Sequence, residues 1–238
     1  MIIKIICNFF HPFLINLMKT QRKQRNQTLH ILNDHPKYAE KNAIYVVNHS
    51  CRYDFPIAGE VINTHTCVLA GKQKLYLLDY LAFLLNGVVW VNRESSKSKK
   101  VAFQKMLSCL KNGFNMCVFP EATWNLTPSK PMLPMYWGVI DLAKQSGSPI
   151  IPIALEFREN VCYAKFGEPI YCLREDEKKD KFTQLEDALA SLKWKIWELF
   201  PIEKRAEINM EEWNIEVKKR LSEYPIMDYE NEKQFIRS

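Results

Sequence analysis

The sequence is poor in glycine and lacks the cysteine patterns of disulfide and metal sites. Only seven of its 238 residues are glycine, and none belongs to a glycine-rich loop of the kind that cradles a nucleotide phosphate. The seven cysteines are an odd number without regular spacing, and no two of them form a Cys-x-x-Cys pair. These absences argue against a disulfide framework and a zinc finger. We therefore expect a protein of a reducing compartment.

Signatures of metal and nucleic-acid binding are also missing. The histidines that lack paired spacing and nearby acidic clusters are His11, His30, His35 and His65. We therefore predict no metal site. The net charge of +6 is modest, and the short basic tract at 97–100 is typical of a solvated helix start. We expect no nucleic-acid partner.

No segment is a convincing membrane span. The apolar N-terminal segment 1–18 is interrupted by Lys4, His11 and Pro12, whereas a spanning helix takes about 20 mostly apolar residues. The segment also lacks a small-residue cleavage site, so we expect no signal peptide. A second apolar run, 75–91, is interrupted by polar residues and fits a buried helix that feeds a central strand.

A basic cluster directly follows the N-terminal segment, and it consists of Lys19, Arg22, Lys23 and Arg25. One interpretation is an interfacial anchor, with the basic cluster on anionic head groups and apolar side chains in the acyl region. Those apolar side chains would be Phe9, Phe10, Phe13 and Leu14. The other interpretation is a helix packed on the protein core, because a hydrophobic stripe alone does not separate the two.

The rest of the pattern predicts an α/β fold. After Asn42, short β-rich runs alternate with helical stretches, which is typical of βαβ units and a mostly parallel central sheet flanked by helices. We predict strands at 43–48, 66–70, 87–92, 115–119, 150–157 and 162–166. We predict helices at 54–62, 75–85, 98–111 and 135–146, and a helical C-terminal part that begins near residue 182.

A histidine and an aspartate follow the first of these strands. His49 and Asp54 stand five positions apart in the run NHSCRYD, directly after the apolar segment 43–47. The loop can return Asp54 so that its carboxylate accepts the ring Nδ1 proton and leaves Nε2 as a base. In the alternative interpretation Asp54 caps the next helix and His49 is a loop residue. Ser50 and Cys51 lack a nucleophile-elbow pattern, so we assign them loop packing or capping roles.

Three further unusual strings lie at or within predicted strands. VNRE, which contains Arg93, closes the third strand, FPEATW at 119–124 closes the fourth, and IPI at 151–153 lies within the fifth. The carboxyl ends of neighbouring parallel strands share one edge of a sheet, and open α/β sheets bind ligands there. We therefore expect these residues to converge with His49.

Taken in order, the four strings resemble the blocks of the glycerolipid acyltransferase family, and most closely those of its bacterial 1-acyl-glycerol-3-phosphate acyltransferases. The family's Asn-His-x4-Asp block is matched at 48–54, and its strand-terminal arginine is matched by Arg93. The aliphatic-Pro-aliphatic block is matched at 151–153, and a lysine between the first two blocks fits Lys72. The resemblance spans roughly residues 42–170.

The remaining block departs from the family at two positions. Phe-Pro-Glu-Gly-Thr-Arg corresponds to 119–124, where Glu121 and Thr123 match but Ala122 replaces the glycine and Trp124 replaces the arginine. The missing arginine removes a cation that the family is thought to use near the acceptor phosphate. Alanine is the milder change, unless the position requires a positive φ angle.

The resemblance implies an O-acyltransferase. It would move a fatty acyl group from acyl-CoA or acyl-ACP to the free hydroxyl of 1-acyl-glycerol-3-phosphate and so make phosphatidic acid. His49 would act as general base on that hydroxyl, while Asp54 would orient the ring and stabilise the imidazolium. The substrate-binding residues would be Lys72, Arg93, Glu121 and Thr123.

The same resemblance implies no cofactor beyond the acyl donor. Its partners would be a lysophospholipid acceptor, acyl-CoA or acyl carrier protein, and the cytoplasmic face of the cell membrane, which it would meet as a peripheral or monotopic protein. We divide the chain into a membrane-interface segment (1–41), an acyltransferase core (42–170) and a helical extension of the same domain (171–238). Two alternatives stay open: the same chemistry on another lysolipid or polar acceptor, and a catalytically silent lipid-binding protein.

Overall fold

A seven-stranded sheet forms the centre of the molecule. The computed structural model describes residues 2–40, 42–71, 77–127 and 130–200 and the single positions 215 and 218. Within these ranges the strands are Thr28–Ile31 (β1), Ile44–Val47 (β2), Thr66–Gly71 (β3), Val88–Val91 (β4), Asn115–Val118 (β5), Ile150–Arg158 (β6) and Val161–Phe166 (β7). They lie side by side in the order β1-β7-β6-β2-β5-β3-β4.

Most of the sheet is parallel. β2 pairs in parallel with β6 on one side and with β5 on the other, and β3 pairs in parallel with both β5 and β4. β7 is antiparallel to β6, and β1 is parallel to β7, so this edge of the sheet runs the opposite way. The prediction of an α/β fold with a mostly parallel central sheet is confirmed. β2 lies in the middle, so its carboxyl end is flanked by other strand ends.

Helices cover both faces of the sheet. They are Ile2–Gln24 (α1), Asp54–Ile62 (α2), Leu77–Asn86 (α3), Ser96–Lys111 (α4), Gly138–Ser146 (α5) and Lys178–Trp197 (α6). α2 and α3 pack on one face, and α1 packs on both of them. α4, α5 and α6 cover the other face.

β2, the strand before His49, is buried on both faces. Ile44 and Val46 point into the cluster with α4 and α5. Tyr45 and Val47 point into the cluster with α2. Because successive strand side chains alternate between faces, a strand covered on both faces is a continuous apolar run. None of the four is more than 1% exposed, so the position at which the chain leaves the sheet is fixed.

Helix α1 buries one side and exposes the other. Leu14 and Met18 are buried, whereas Phe9 and Phe13 are 77% and 63% exposed. A Cβ atom on Gly59 of α2 would come within 3.0 Å of Met18 Sδ, so glycine permits the close approach of the two helices. The prediction that Leu14 enters the acyl region is therefore wrong, because this side chain belongs to the core. Among the described residues, no helix is both long and apolar enough to cross a bilayer.

The basic cluster is divided in the same way. Arg22 Nε lies 3.0 Å from Glu60 Oε2, which ties α1 to α2. Arg25 Cζ lies 4.1 Å from the centre of the Tyr53 ring. Lys19 and Lys23 are exposed. Two of the four residues expected on head groups thus make contacts within the protein.

Candidate active site

The loop between β2 and α2 brings His49 and Asp54 together. His49 Nδ1 and Asp54 Oδ2 are 2.8 Å apart. A carboxylate only accepts hydrogen bonds, so Nδ1 carries the proton and donates it, and Nε2 keeps a lone pair. The His49 side chain is 20% exposed and the Asp54 side chain is fully buried. The aspartate therefore lies behind the ring, and the opposite edge of the ring is accessible.

Asp54 is held by the loop and not by the helix that it begins. The backbone N–H groups of Ser50 and Cys51 donate to its Oδ2, the second over 2.8 Å. The Ser50 hydroxyl donates to its Oδ1 over 3.1 Å. The N-cap position of α2 is Tyr53, which makes no side-chain capping bond. The alternative interpretation of Asp54 as a helix cap is therefore wrong.

The two residues after His49 are not arranged as nucleophiles. The Ser50 hydroxyl donates a hydrogen bond to Asp54, so its proton points away from the His49 ring. Burial raises the pKa of the Cys51 thiol well above its usual range, and the charge of Asp54 raises it further. A thiol that stays protonated is a poor nucleophile. The geometry favours a base that activates an external hydroxyl, with no covalent enzyme intermediate.

His49 lines a cavity of about 980 Å³. The walls are formed by the carboxyl ends of β3, β4 and β5, by the loop after β2, and by side chains of the helices α1 to α5. Pockets for small molecules usually measure about 300–1,000 Å³, so this one lies at the upper end. Its apolar lining includes Leu17, Phe55, Leu81, Phe103, Phe119 and Val139. A long acyl chain suits a space of this size and polarity.

Two aromatic rings flank the histidine. The Phe119 ring centre lies 4.6 Å from that of His49, and the Trp124 ring meets it edge-on at 6.2 Å. Both follow β5 and line the cavity. The His49 imidazole therefore stands in an apolar setting, where electrostatic interactions are stronger than in water.

Glu121 links the loop after β5 to the loop after β2. Its Oε1 accepts from the backbone N–H of His49 over 2.7 Å, and its Oε2 accepts from that of Leu133 over 2.8 Å. Burial raises the pKa of Glu121 to about 7, while these two donors and Lys193 act in the opposite direction. Glu121 is only 4% exposed and is not among the described residues that line the cavity. Its contacts hold the backbone at His49.

The other predicted substrate-binding residues lie at strand ends. Arg93 and Thr123 line the cavity. The Arg93 guanidinium lies against Gly71 at the end of β3. A Cβ atom on Gly71 would be only 3.2 Å from Arg93 Nη2. Lys72 lies outside the described residues. The structure thus brings His49, Arg93 and Thr123 to one cavity.

The two departures from the family pattern have different structural consequences. Ala122 has a φ angle of 57°, which is the left-handed region that favours glycine. The position therefore does require a positive φ, and alanine is strained there. Trp124 is 9% exposed and contacts the His49 ring edge-on. An apolar ring occupies the position at which the family has a cation.

Sequence reasoning missed several further polar residues of the cavity wall, among them Arg25, Arg52 and Tyr53. Arg25 was assigned to head groups, although its guanidinium lies over the Tyr53 ring. Arg52 and Tyr53 lie between His49 and Asp54 in the sequence, so their position near His49 could have been predicted. Their pairing with Arg25 depends on how α1 crosses α2, which no local pattern gives.

Known proteins are similar to this chain over the part that contains these strand ends. Residues 22–156 match the family model described as Acyltransferase. The chain is 30% identical over 119 residues to an uncharacterized acyltransferase of Schizosaccharomyces pombe, a match that covers 49% of this chain and 42% of that protein. It is 28% identical over 122 residues to the 1-acyl-sn-glycerol-3-phosphate acyltransferase of Escherichia coli, which covers 50% of this chain and 49% of that enzyme. The match thus spans half or less of each relative.

The fold is similar to that of a solved structure. The crystal structure of the 1-acyl-sn-glycerophosphate (LPA) acyltransferase PlsC from Thermotoga maritima superposes with a TM-score of 0.59. The superposition covers 78% of this chain and 81% of that chain at 16% sequence identity. An identity this low supports the shared fold and nothing finer.

Proposed function

This chain belongs to the acyltransferase family, and we propose that it moves a fatty acyl group from acyl-CoA or acyl-ACP to the free hydroxyl of 1-acyl-glycerol-3-phosphate. The product is phosphatidic acid, and the donor leaves as a thiol. The observation that carries the proposal is the 2.8 Å bond between His49 Nδ1 and Asp54 Oδ2 at the wall of a large apolar cavity. A base, an orienting acid and space for an acyl chain are the parts that this reaction needs.

In the proposed reaction His49 acts as general base. Its Nε2 takes the proton of the acceptor hydroxyl as the hydroxyl oxygen attacks the thioester carbonyl carbon. When the tetrahedral intermediate collapses, the C–S bond breaks and the imidazolium returns the proton to the leaving sulfur. A positioned base of this kind typically contributes about 10²- to 10⁴-fold in rate. Asp54 keeps the proton on Nδ1 and stabilises the imidazolium.

The remaining residues bind and position. Arg93 offers the planar pair of donors that suits a phosphate group, and it lines the cavity with Thr123. We assign both, together with Lys72, to the acceptor head group. Glu121 is a positioning residue, because its contacts run to the backbone of His49 and Leu133.

We assign the exposed side of α1 to a membrane surface. Phe9, Phe13 and Leu17 recur at four-residue steps on α1 and are 77%, 63% and 39% exposed. Large apolar side chains in a row on one helix are typical of interfacial helices. The enzyme would then be a peripheral or monotopic protein of the cytoplasmic face, where lysophospholipid is supplied from the bilayer.

The test is a transfer assay with the purified chain, 1-acyl-glycerol-3-phosphate, and either acyl-CoA or acyl-ACP carrying a labelled acyl group. We expect labelled phosphatidic acid with at least one of the two donors. Binding to lipid vesicles without transfer from either donor would instead identify a silent lipid-binding protein and reject the enzyme.

One observation favours a second acceptor class. Trp124 places an indole against His49 where the family pattern has a cation, so the same transfer could act on a lysolipid or polar acceptor without a phosphate monoester. Acceptor profiling decides between them. If wild type prefers 1-acyl-glycerol-3-phosphate and Arg93→Gln loses that preference, the main proposal is supported. If wild type and Arg93→Gln transfer equally fast to uncharged acceptors, the second acceptor class is supported.

A further inference from the structure

Asn48 holds the chain where it leaves β2 and turns toward His49. The paired register of β2 and β6 ends at Val47 and Ile153. One residue further on, Asn48 Nδ2 donates to the carbonyl oxygen of Leu155 over 3.0 Å, and Asn48 Oδ1 accepts from the N–H of Leu155 over 2.6 Å. An amide side chain offers the same kind of donor and acceptor as a peptide group. Asn48 is 2% exposed, so this contact fixes the residue that precedes His49.

A buried lysine of α6 reaches the same carbonyl oxygen. Lys193 Nζ donates to the Leu155 carbonyl oxygen over 2.6 Å and lies 2.5 Å from Glu156 Oε2. A carbonyl oxygen has two lone pairs, so it can accept from Lys193 and from Asn48 together. Lys193 therefore contacts the group that anchors the start of the His49 loop.

Lys193 lies on the buried side of its helix among apolar side chains. It is 5% exposed, and Leu189, Leu192 and Ile196 are buried beside it. A buried ion pair adds little to stability compared with apolar side chains of similar volume. The helix also lies outside residues 22–156, which match the family model. Fold stability alone therefore does not explain a lysine at this position.

The charge of Lys193 also acts on Glu121, which holds the backbone N–H of His49. Burial raises the pKa of Glu121, and Asp54 acts in the same direction. The backbone N–H groups of His49 and Leu133 lower this pKa, and so does the charge of Lys193. Lys193 thus favours the carboxylate form, in which both oxygens only accept hydrogen bonds. Because charge-assisted hydrogen bonds are the stronger ones, Lys193 strengthens the contact between Glu121 and His49.

We propose that Lys193 is a positioning residue of the active site, which holds the backbone at His49 from α6. It acts by two routes: through the Leu155 carbonyl oxygen that it shares with Asn48, and through its charge on Glu121. The inference rests on the proposed function, since it concerns how the base of that reaction is held. Lys193 is not among the described residues that line the cavity, so it affects the rate only through these contacts.

The first test is steady-state acyl transfer. Lys193→Met removes the charge and the donor at a similar side-chain length. Lys193→Met/Glu156→Gln also removes the acid that the single substitution leaves unpaired, and it serves if the single variant does not fold. Lys195→Met removes an exposed lysine of the same helix and is the control.

We expect both Lys193 variants to lose about tenfold or more in kcat, because a small displacement of a reacting group is costly, while KM for both substrates stays within about twofold. The control should match wild type. Wild-type kcat in a folded Lys193 variant would overturn the proposal, and so would a rise in KM at constant kcat.

The second test needs no turnover and observes the backbone N–H of His49 by NMR. This group donates to Glu121, so its signal should shift as Glu121 titrates near pH 7. The chain has five histidines, and in protein labelled with ¹⁵N-histidine the His49 signal is the one that His49→Ala lacks. The titration step that Glu121→Gln abolishes belongs to Glu121.

The charge of Lys193 predicts opposite shifts of this step in two variants. In Lys193→Met the step should move to higher pH, because the charge that favours the carboxylate is gone. In Glu156→Gln, which keeps Lys193 and removes the acid that balances it, the step should move to lower pH. A step that stays at the wild-type pH in both variants would overturn the proposal. If Lys193→Met does not fold, an unmoved step in Glu156→Gln alone overturns it.

The outcomes for Lys193 and for the reaction are separable. The NMR titration uses no substrate, so the two opposite shifts support the positioning role even if the wild-type chain transfers no acyl group. Conversely, transfer by wild type together with unchanged kcat in the folded Lys193 variants supports the reaction and rejects the role.

Discussion

His49 is held at three points, and each has a different consequence for the proposed reaction. Asp54 holds the ring through Nδ1. Glu121 accepts a hydrogen bond from the backbone N–H of His49. The backbone N–H of Asn125 donates to the backbone carbonyl oxygen of His49 over 2.6 Å. The orientation of the ring therefore depends on Asp54, while the position of the loop depends on the segment after β5. Substitutions at these points should separate rate from stability.

Substitution of Asp54 by asparagine should lower the rate. The amide can donate to Nδ1 and so favours the tautomer that carries its proton on Nε2. In that tautomer Nε2 has no lone pair with which to take a proton from the acceptor hydroxyl, and we expect kcat to fall about 10²-fold or more with a smaller change in KM. The measurement is steady-state acyl transfer. Asp187→Asn, at an exposed position of α6, is the control with the same loss of charge. An unchanged kcat in Asp54→Asn would contradict the orienting role.

Glu121 should make stability depend on pH. Burial raises its pKa from 4.5 to about 7 in the folded state, so between these values the folded protein keeps a proton that the unfolded chain releases. The contribution to the free energy of unfolding is complete below about pH 4.5 and is lost as the pH rises through about 7. The free energy of unfolding of wild type, relative to Glu121→Gln, should therefore fall across this range.

Urea unfolding at a series of pH values measures the effect of Glu121. A relative stability that rises with pH would instead mean that the backbone N–H groups of His49 and Leu133 outweigh burial and hold the carboxylate charged.

Ala122→Gly should stabilise the protein. The φ angle of 57° is unfavourable for alanine and easy for glycine, so we expect a gain of about 0.5–1 kcal/mol after the greater chain entropy of glycine is subtracted. Ala188→Gly, within α6, should have the opposite sign. Urea unfolding of both variants checks the prediction, and a loss of stability in Ala122→Gly would contradict the strain.

At the scale of secondary structure elements, the sequence predicts the bounds of an element best where its buried apolar positions recur with a clear period. α2 begins and ends where the sequence places it, at Asp54–Ile62, and β5 at Asn115–Val118 is one residue shorter than expected. β1 was not predicted, because Thr28–Ile31 is a four-residue edge strand with three exposed residues and so shows no apolar run. The site residues that follow strands were predictable for the same reason that the strands were.

The orientation of α1 was not predictable from its own residues. Its apolar positions are spread around the helix. The side that faces the core depends on two contacts with α2, in which Met18 packs on Gly59 and Arg22 pairs with Glu60. The contact of Arg25 with Tyr53 follows from that orientation. Tertiary contacts of this kind carry no local sequence signal.

The exposed side of α1 should matter for lipid surfaces. Phe9 is 77% exposed, and Phe9→Asp should lower binding to anionic vesicles about tenfold, since burying such a side chain is worth about 1.5–3 kcal/mol. The free energy of unfolding should change by less than about 0.5 kcal/mol, as for other surface positions. Val101→Asp on α4, 47% exposed, is the control. Vesicle co-sedimentation measures the binding of Phe9→Asp and of the control. Equal binding of Phe9→Asp and wild type would contradict the assignment.

At the scale of the whole molecule, one cavity connects the parts. α1 contributes an apolar wall through Leu17, the loop after β2 contributes His49, and the end of β4 contributes Arg93. Phe9 lies on the same face of that helix, two turns before Leu17, and is 77% exposed. A lysophospholipid that enters from a membrane could therefore reach the base along a mostly apolar path. The central claim is that His49 is the base for transfer of an acyl group inside this cavity.

Single-turnover transfer of a labelled acyl group to 1-acyl-glycerol-3-phosphate tests that claim most directly, with wild type, His49→Ala and, as the control, His30→Ala at an exposed position of β1. We expect wild type and His30→Ala to form phosphatidic acid at equal rates and His49→Ala to be slower by about 10²- to 10⁴-fold. Transfer by His49→Ala at the wild-type rate would contradict the account.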